Sequence, residues 1–294
     1  MKPSAIAAPE PGDRQNSMQT ALLDPSHIAV FSVALIIAGG FAGFLAGLLG
    51  VGGGIIIVPA LYFILSALDV SEAVRMHVAV GTSLAAIIVT SLISARSHAA
   101  RGAVDVALLR QWAPGVIFGV FAGSGLALLM DGRMLTGLFA SIALAMAVQM
   151  VFGNPDWRIA DEPPRGLTAQ AIAAVIGAIS ALMGIGGAAL SILALSLYGY
   201  PIRRAVGTAA AIGFLIGVPG TIGFILGGWG DPDLPPFSLG FVNLLATLLI
   251  LPMSMLFAPL GAKAAHALPA RGLKLAFAAF LAATSIRMFI SVLG

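Results

Sequence analysis

The sequence predicts an all-α polytopic membrane protein. It is built of two inverted-topology repeats, each a glycine-broken helix pair followed by three spanning helices. Three observations lead there. The composition suits lipid: 59% of the 294 residues are hydrophobic and 9% are charged, against about 25% charged in a soluble domain, and the mean hydropathy is +1.03. Uncharged runs are long, since residues 25–68 and 166–202 hold no Lys, Arg, Asp or Glu, and about 20 apolar residues suffice for one crossing. The chain also repeats itself: Gly43-Phe-Leu-Ala-Gly-Leu-Leu-Gly-Val-Gly-Gly53 reads against Gly177-Ala-Ile-Ser-Ala-Leu-Met-Gly-Ile-Gly-Gly187.

Each element follows in order. Residues 1–27 are polar and proline-rich, with Lys2, Glu10, Asp13 and Arg14, and read as a disordered tail. No apolar stretch of a signal peptide precedes Ile28. A helix over 28–49 ends at Gly50-Val-Gly-Gly-Gly54, because glycine loses the most backbone entropy on ordering and interrupts helices. A shorter helix over 53–68 follows, then spans over 76–95, 104–130 and 134–153. The segment Asn154-Pro-Asp-Trp-Arg-Ile-Ala-Asp-Glu-Pro-Pro-Arg165 has three prolines and two charged clusters, which mark a boundary. The first repeat is thus 28–153, the linker 154–166, and the second repeat 167–294. That half runs in the same order: 167–183, a break at Gly184-Ile-Gly-Gly187, then 188–199, 202–228, 238–262 and 271–292.

The repeat extends beyond the glycines. Ala79-Val-Gly-Thr82 matches Ala205-Val-Gly-Thr208, while Pro114, Gly123, Arg133, Leu135 and Phe139 match Pro252, Gly261, Arg271, Leu273 and Phe277 at one constant offset. A broken pair that returns to its starting side, plus three crossings, makes each half an odd number of crossings. The second half is then upside down relative to the first. The charges agree. One face collects Arg96, Arg101, Arg158, Arg165, Arg203, Arg204, Lys263 and Arg271, and the other most of the acidic residues. Lys and Arg enrichment marks the cytoplasmic face, which places the linker inside and both termini outside an inner membrane.

A helix broken in lipid frees N–H and C=O groups that protein, water or a ligand must meet. A helix that restarts after such a break presents unpaired N–H groups and the positive end of its dipole, a ready site for an oxyanion. The backbone donors read from the sequence are Gly50, Gly52, Gly53, Gly54, Gly184, Gly186 and Gly187, with hydroxyls from Thr82, Ser83 and Thr208. Each has a structural reading beside it. Small residues also serve close helix packing, and Thr or Ser in a membrane helix bonds its own i−4 carbonyl. His77 and Arg203, at matched positions, suit either a pathway mouth or interfacial anchoring. Asn243, matched to Asp105, is a weaker candidate, and Trp112, Trp157 and Trp229 suit interface positions.

These glycine motifs, with Pro59, Val80-Gly-Thr-Ser83 and Arg204-Ala-Val-Gly-Thr208, resemble the sulfite exporter TauE/SafE family of membrane transporters over about 28–292. The resemblance implies movement of small sulfur-containing anions such as sulfite, sulfoacetate or thiosulfate across the inner membrane. Ala188 stands where the first repeat has Gly54, so the two breaks are not equivalent.

Other classes find little support. The basic residues lie in short loops with no aromatic-interleaved stripe, against nucleic acid as a partner. There is no Cys, no H-E-x-x-H and no G-x-G-x-x-G after a strand, so neither an enzyme nor a resident cofactor is expected. The partners are the small anion, the bilayer and, at most, further copies of the chain. An anion channel or an importer of thiosulfate is the alternative to export. Reporter fusions test the orientation: a periplasm-dependent reporter at residue 294 is expected to be active and one within 154–165 silent, and the opposite pattern overturns it.

Overall fold

The computed structural model describes residues 25–49, 53–153, 157–267 and 270–293. Among these residues the chain forms ten helices and one short hairpin. The first half gives α1 (Pro25–Leu49), α2 (Gly54–Ala67), α3 (Glu72–Ala99), α4 (Val106–Leu129) and α5 (Gly132–Phe152). The second gives α6 (Gly166–Met183), α7 (Ala188–Ser196), α8 (Ile202–Gly227), β1 (Ser238–Leu239), β2 (Val242–Asn243), α9 (Leu244–Ala267) and α10 (Ala270–Leu293).

Eight of these helices are long and apolar enough to cross a membrane. The exceptions are α2 and α7, of 14 and 9 residues. At a rise of 1.5 Å per residue they reach only about 21 Å and about 14 Å, short of a hydrocarbon core of about 30 Å. The spanning helices are apolar on both faces, as lipid requires. Phe118, Leu248 and Phe152 stand outward at 70%, 68% and 79% exposure, while Leu35, Val120 and Leu281 are fully buried.

The helices pair across the two halves. α1 packs on α9, α4 on α6, α3 on α8 and α5 on α10. Glycines fix the direction of three of these pairs. Gly39, Gly43 and Gly47 of α1 lie against Ile250, Ser254 and Ala258 of α9, so the two run parallel. Gly115, Gly119 and Gly123 of α4 lie against Gln170, Ala174 and Ala178 of α6, again parallel. Gly213, Gly217 and Gly220 of α8 meet Ser91, Ile88 and Leu84 of α3 in descending order, which is antiparallel. The contacts are reciprocal. Gly43 abuts Ser254 and its match Gly177 abuts Val116, and each partner lies two residues past a matched proline; Gly261 abuts Phe44 and its match Gly123 abuts Ala178.

Several boundaries differ from the sequence reading. α1 starts at Pro25 rather than residue 28, since proline is at home in a first helical turn; residues 1–24 lie outside the described ones. The expected span over 238–262 does not start at 238: its first six residues form the β1–β2 hairpin, which turns through Gly240 at φ +55°, and the helix runs Leu244–Ala267. There Asn243 starts α9 by accepting the Ala246 N–H (2.8 Å). The apolar residues on both sides hid this start. Trp112 is fully buried rather than interfacial, whereas Trp157 and Trp229 are exposed at 67% and 68%.

The polar ends separate into two groups. At one, the Arg203 guanidinium reaches the Arg101 carbonyl (3.4 Å), Arg204 pairs with Asp105 (3.9 Å), and the linker's Ile159 N–H bonds the Leu197 carbonyl (2.7 Å). At the other, Arg133 pairs with Glu72 (3.1 Å) and Ser71 donates to Asp233 (3.4 Å). Asp105 caps α4 by accepting the Leu108 N–H (3.0 Å) and also accepts the Tyr200 hydroxyl. These donors, the backbone N–H first, hold its carboxyl below the usual carboxylate range. Asp105 in turn, after burial, pushes the Tyr200 phenol up to about 12.

Two predictions follow from this packing. A Cβ at Gly119 would overlap the Ala174 carbonyl, so Gly119→Val is expected to cost about 3 kcal/mol, at the upper end of the usual overpacking range. Survival of a heat challenge in detergent, read by size exclusion, measures it. For Asp105 the folded pKa is depressed, so its stabilisation is full above the unfolded pKa and is lost as pH falls through the folded one. The melting-temperature advantage of wild type over Asp105→Asn should be largest near neutrality and vanish in acid.

Candidate functional site

The two glycine breaks meet between α3 and α8. A Cβ at Gly54 would stand 2.6 Å from the Gly184 carbonyl oxygen, 3.0 Å from Ile185 Cα and 2.9 Å from Ile87 Cδ1. One at Gly184 would stand 2.9 Å from both Val58 Cγ2 and Val80 Cα. The break in each half is thus walled by the other half and by α3. Ile87, at 3% exposure, touches both, since its Cγ2 lies 3.1 Å from the Cβ position of Gly186.

The second break is a sharp turn. Gly184 ends α6 at φ +62°, and Gly187 opens α7 at φ +65°. Both are left-handed conformations that an L side chain adopts only under strain. The turn closes with Ile185 N–H donating to the Ser180 carbonyl (3.0 Å) and Gly184 N–H to the Ala181 carbonyl (3.3 Å). The first α7 bond runs from Ser191 N–H to the Gly187 carbonyl (2.8 Å). The N–H groups of Ala188, Ala189 and Leu190 therefore precede the helical ladder. At the first break Gly53 has ordinary helical dihedrals (φ −69°, ψ −21°), and its carbonyl accepts from Ile56 and Ile57 N–H (both 3.0 Å). The N–H groups of Gly54 and Ile55 are the leading ones there. Gly50 and Gly52 lie outside the described residues.

Of the expected hydroxyls, Ser83 reaches this centre. It is fully buried and donates to the Gly184 carbonyl (2.7 Å), closing a backbone acceptor that the turn leaves open. Thr82 and Thr208 contact helix caps instead. The Thr82 Oγ1 accepts the backbone N–H of Asn243 (2.9 Å), and the Thr208 Oγ1 accepts that of Asp105 (2.9 Å). Each threonine thus ties its own half to a helix start of the other. Gly186 and Gly213 face Ser91 of α3, whose Oγ lies 3.6 Å from the Cβ position of Gly186.

The remaining candidates take structural places. His77 is buried at 4% exposure, with Nε2 3.0 Å from the Ala127 carbonyl and Nδ1 3.2 Å from that of Ala73, beside the Phe241 ring at 4.9 Å. It is a packed residue, and Arg203 belongs to the opposite polar end. Asn243 is committed to the α9 cap and to the Pro236 carbonyl (2.9 Å). No cluster of metal-binding side chains occurs among the described residues.

Two serines beside the second break were not singled out from the sequence. Ser180 and Ser191 are both fully buried, and neither Oγ has a hydrogen-bond partner. Their signal was available: the aligned residues of the first half, Ala46 and Ile57, are apolar.

Comparison with known proteins bears on this geometry. A family model described as sulfite exporter TauE/SafE matches residues 35–288. A probable membrane transporter protein of Haemophilus influenzae is 35% identical over 260 residues, covering 88% of this chain and 98% of that one. A probable membrane transporter protein of Methanocaldococcus jannaschii is 26% identical, covering 74% and 81% of the two chains. The probable membrane transporter protein YunE of Bacillus subtilis is 30% identical, covering 67% and 79%. No solved structure matches the chain.

Removing the Ser83 hydroxyl should leave the Gly184 carbonyl unpaired. Ser83→Ala is expected to cost about 1–3 kcal/mol, read as a drop in melting temperature relative to Ser141→Ala, whose hydroxyl serves only its own helix at an exposed site.

Proposed function

This chain belongs to the sulfite exporter TauE/SafE family, and on that premise we propose that it is a secondary transporter of a small sulfur-containing oxyanion, sulfite or an organosulfonate, working towards export. Membership makes it a multi-pass membrane transporter. The observation that carries the finer reading is the meeting of the two breaks: Gly54 touches the Gly184 carbonyl between α3 and α8, where two short helices begin. Their leading N–H groups offer dipoles to an anion and no fixed counter-charge. Binding is then strong enough to select and weak enough to release. The site comprises Gly50, Gly52, Gly53, Gly54, Ser83, Gly184, Gly186 and Gly187, with Thr82 and Thr208 behind it.

Inverted repeats and alternating access complete the proposal. The reciprocal glycine contacts, the parallel α1–α9 and α4–α6 pairs and the antiparallel α3–α8 pair all suit a second half turned over relative to the first. Placing the linker and the Arg101–Arg203–Arg204 end in the cytoplasm fits the charge bias and puts both termini outside an inner membrane. An inside-negative potential favours anion exit by about 2.3 kcal/mol per charge per 100 mV, so export needs no coupling ion.

Liposomes loaded with sulfite test this. Efflux should saturate with sulfite concentration and quicken under an inside-negative potassium diffusion potential. A non-saturating current would mark a channel, and accumulation against an inside-negative potential an importer. Gly54→Ala, which forces the breaks apart, should lower efflux by at least about tenfold while the protein still reaches the membrane. Gly125→Ala, with nothing within 4 Å of its Cβ position, should not. Equal efflux from both variants would sink the site.

A further inference from the structure

We propose that the anion occupies the second break alone, held by the Ser180 and Ser191 hydroxyls together with the leading N–H groups of α7, and that the first break is its apolar wall. This rests on the oxyanion-transporter reading and narrows its donor set from both breaks to the second.

The argument starts from hydroxyls that do not do what helical hydroxyls do. A Ser or Thr in an apolar helix usually satisfies itself on the i−4 carbonyl. Thr136 does so at Gly132 (2.7 Å), Ser141 at Gly137 (2.8 Å) and Ser285 at Leu281 (2.7 Å). Ser180 and Ser191 are fully buried and do not. A buried hydroxyl without a partner is costly; Ser124 and Thr221 share that state within α4 and α8, whereas Ser180 and Ser191 flank a helix start.

Their placement names the occupant's position. Ser180 lies in the last turn of α6, and its Oγ is 3.0 Å from the Cβ position of Gly187, the residue that opens α7. It therefore stands beside the residue that immediately precedes the leading N–H groups of Ala188, Ala189 and Leu190. Ser191 lies in the first turn of α7. Two unpartnered hydroxyls and the leading backbone donors thus belong to the start of one helix, and an acceptor-only ligand with several oxygens would satisfy them. A sulfite or sulfonate head group has three such oxygens.

Among the described residues, the first break lacks these hydroxyls. At Gly53 the neighbours of the Cβ position are Ile57 Cδ1 at 3.3 Å and Ala46 Cβ at 3.8 Å, whereas at Gly187 Ser180 Oγ stands beside the methyl groups of Ile216 and Ile176. In the alignment that pairs Gly53 with Gly187, Ala46 stands for Ser180 and Ile57 for Ser191. The second break thus carries two hydroxyls where the first carries Ala46 and Ile57, and one ion per chain follows.

Titration calorimetry on the full-length protein in lipid nanodiscs, with sodium sulfite, tests it. Wild type should bind one sulfite per chain. Ser180→Ala and Ser191→Ala should each weaken binding by roughly tenfold or more, while the ligand-free melting temperature holds or rises because an unpaired hydroxyl has gone. Ser141→Ala, at an exposed hydroxyl that serves its own helix, should leave affinity and stoichiometry unchanged. Wild-type affinity in both serine variants overturns the inference and leaves the transporter reading standing, as does a stoichiometry of two. Weakened binding with an equally lowered ligand-free melting temperature assigns the serines a structural role and also overturns it. No binding of sulfite, thiosulfate or sulfoacetate by wild type overturns the transporter reading, and this inference with it.

Discussion

A helix interrupted inside a bilayer has to close its opened backbone without water. Most of this structure answers that requirement. The Gly184 carbonyl takes the Ser83 hydroxyl, and the Ser180 carbonyl takes the Ile185 N–H. Gly54 lies against Gly184 with no side chain between them. Carbonyl groups are thereby met from within the protein. The N–H groups at the starts of α2 and α7 are of the opposite kind, donors at the positive ends of helices. On the proposed reading, that imbalance between satisfied acceptors and leading donors is what would hold a negative solute, although no Lys or Arg is among the residues of the centre.

Such a centre needs a scaffold that brings two backbones within contact distance. The α1–α9 and α4–α6 pairs provide it through glycines set every fourth residue, which face the carbonyls of the neighbouring helix. In lipid, apolar side chains gain little by leaving one apolar surface for another, so close packing and polar contacts carry association. Thr82 on the Asn243 N–H and Thr208 on the Asp105 N–H add one polar tie from each half to the other. Each tie meets the start of a spanning helix, where the N–H would otherwise be unpaired.

Much of this could be read in advance, because lipid enforces simple rules. Uncharged runs gave the spans, and the glycine clusters located both breaks, α2 starting at Gly54 and α7 at Ala188. Ser83, whose match Ala209 carries no hydroxyl, proved to be the hydroxyl that touches the second turn. Other features needed three dimensions. Thr82 and Thr208 were legible as a matched pair, and so were Asn243 and Asp105, but nothing local says that the pairs bond to each other across the halves. The β1–β2 hairpin sets Leu239, Phe241 and Val242 directly before an apolar helix, so a hydropathy window runs on into it. Ser180 and Ser191 look like ordinary helix serines until their carbonyl partners prove to be missing.

The pairing pattern also bears on how such a molecule moves. Its most intimate contacts join helices from different halves: α1 of the first with α9 of the second, and α6 of the second with α4 of the first. In both, glycines lie directly on backbone carbonyls, Gly47 on Ala258 and Gly119 on Ala174. The contact of α3 with α8 differs, because Leu84, Ile88 and Ser91 supply side chains on one face of it. Side chains can change rotamer within a packed surface, whereas backbone-on-backbone ties must break or travel together. On the alternating-access proposal, the units that travel together would be the two mixed pairs, and the surface that yields would be the one between α3 and α8. That surface contains the glycine breaks. A displacement along it would widen one side of the centre as it narrows the other, which is the geometry that alternating access to a single buried anion requires.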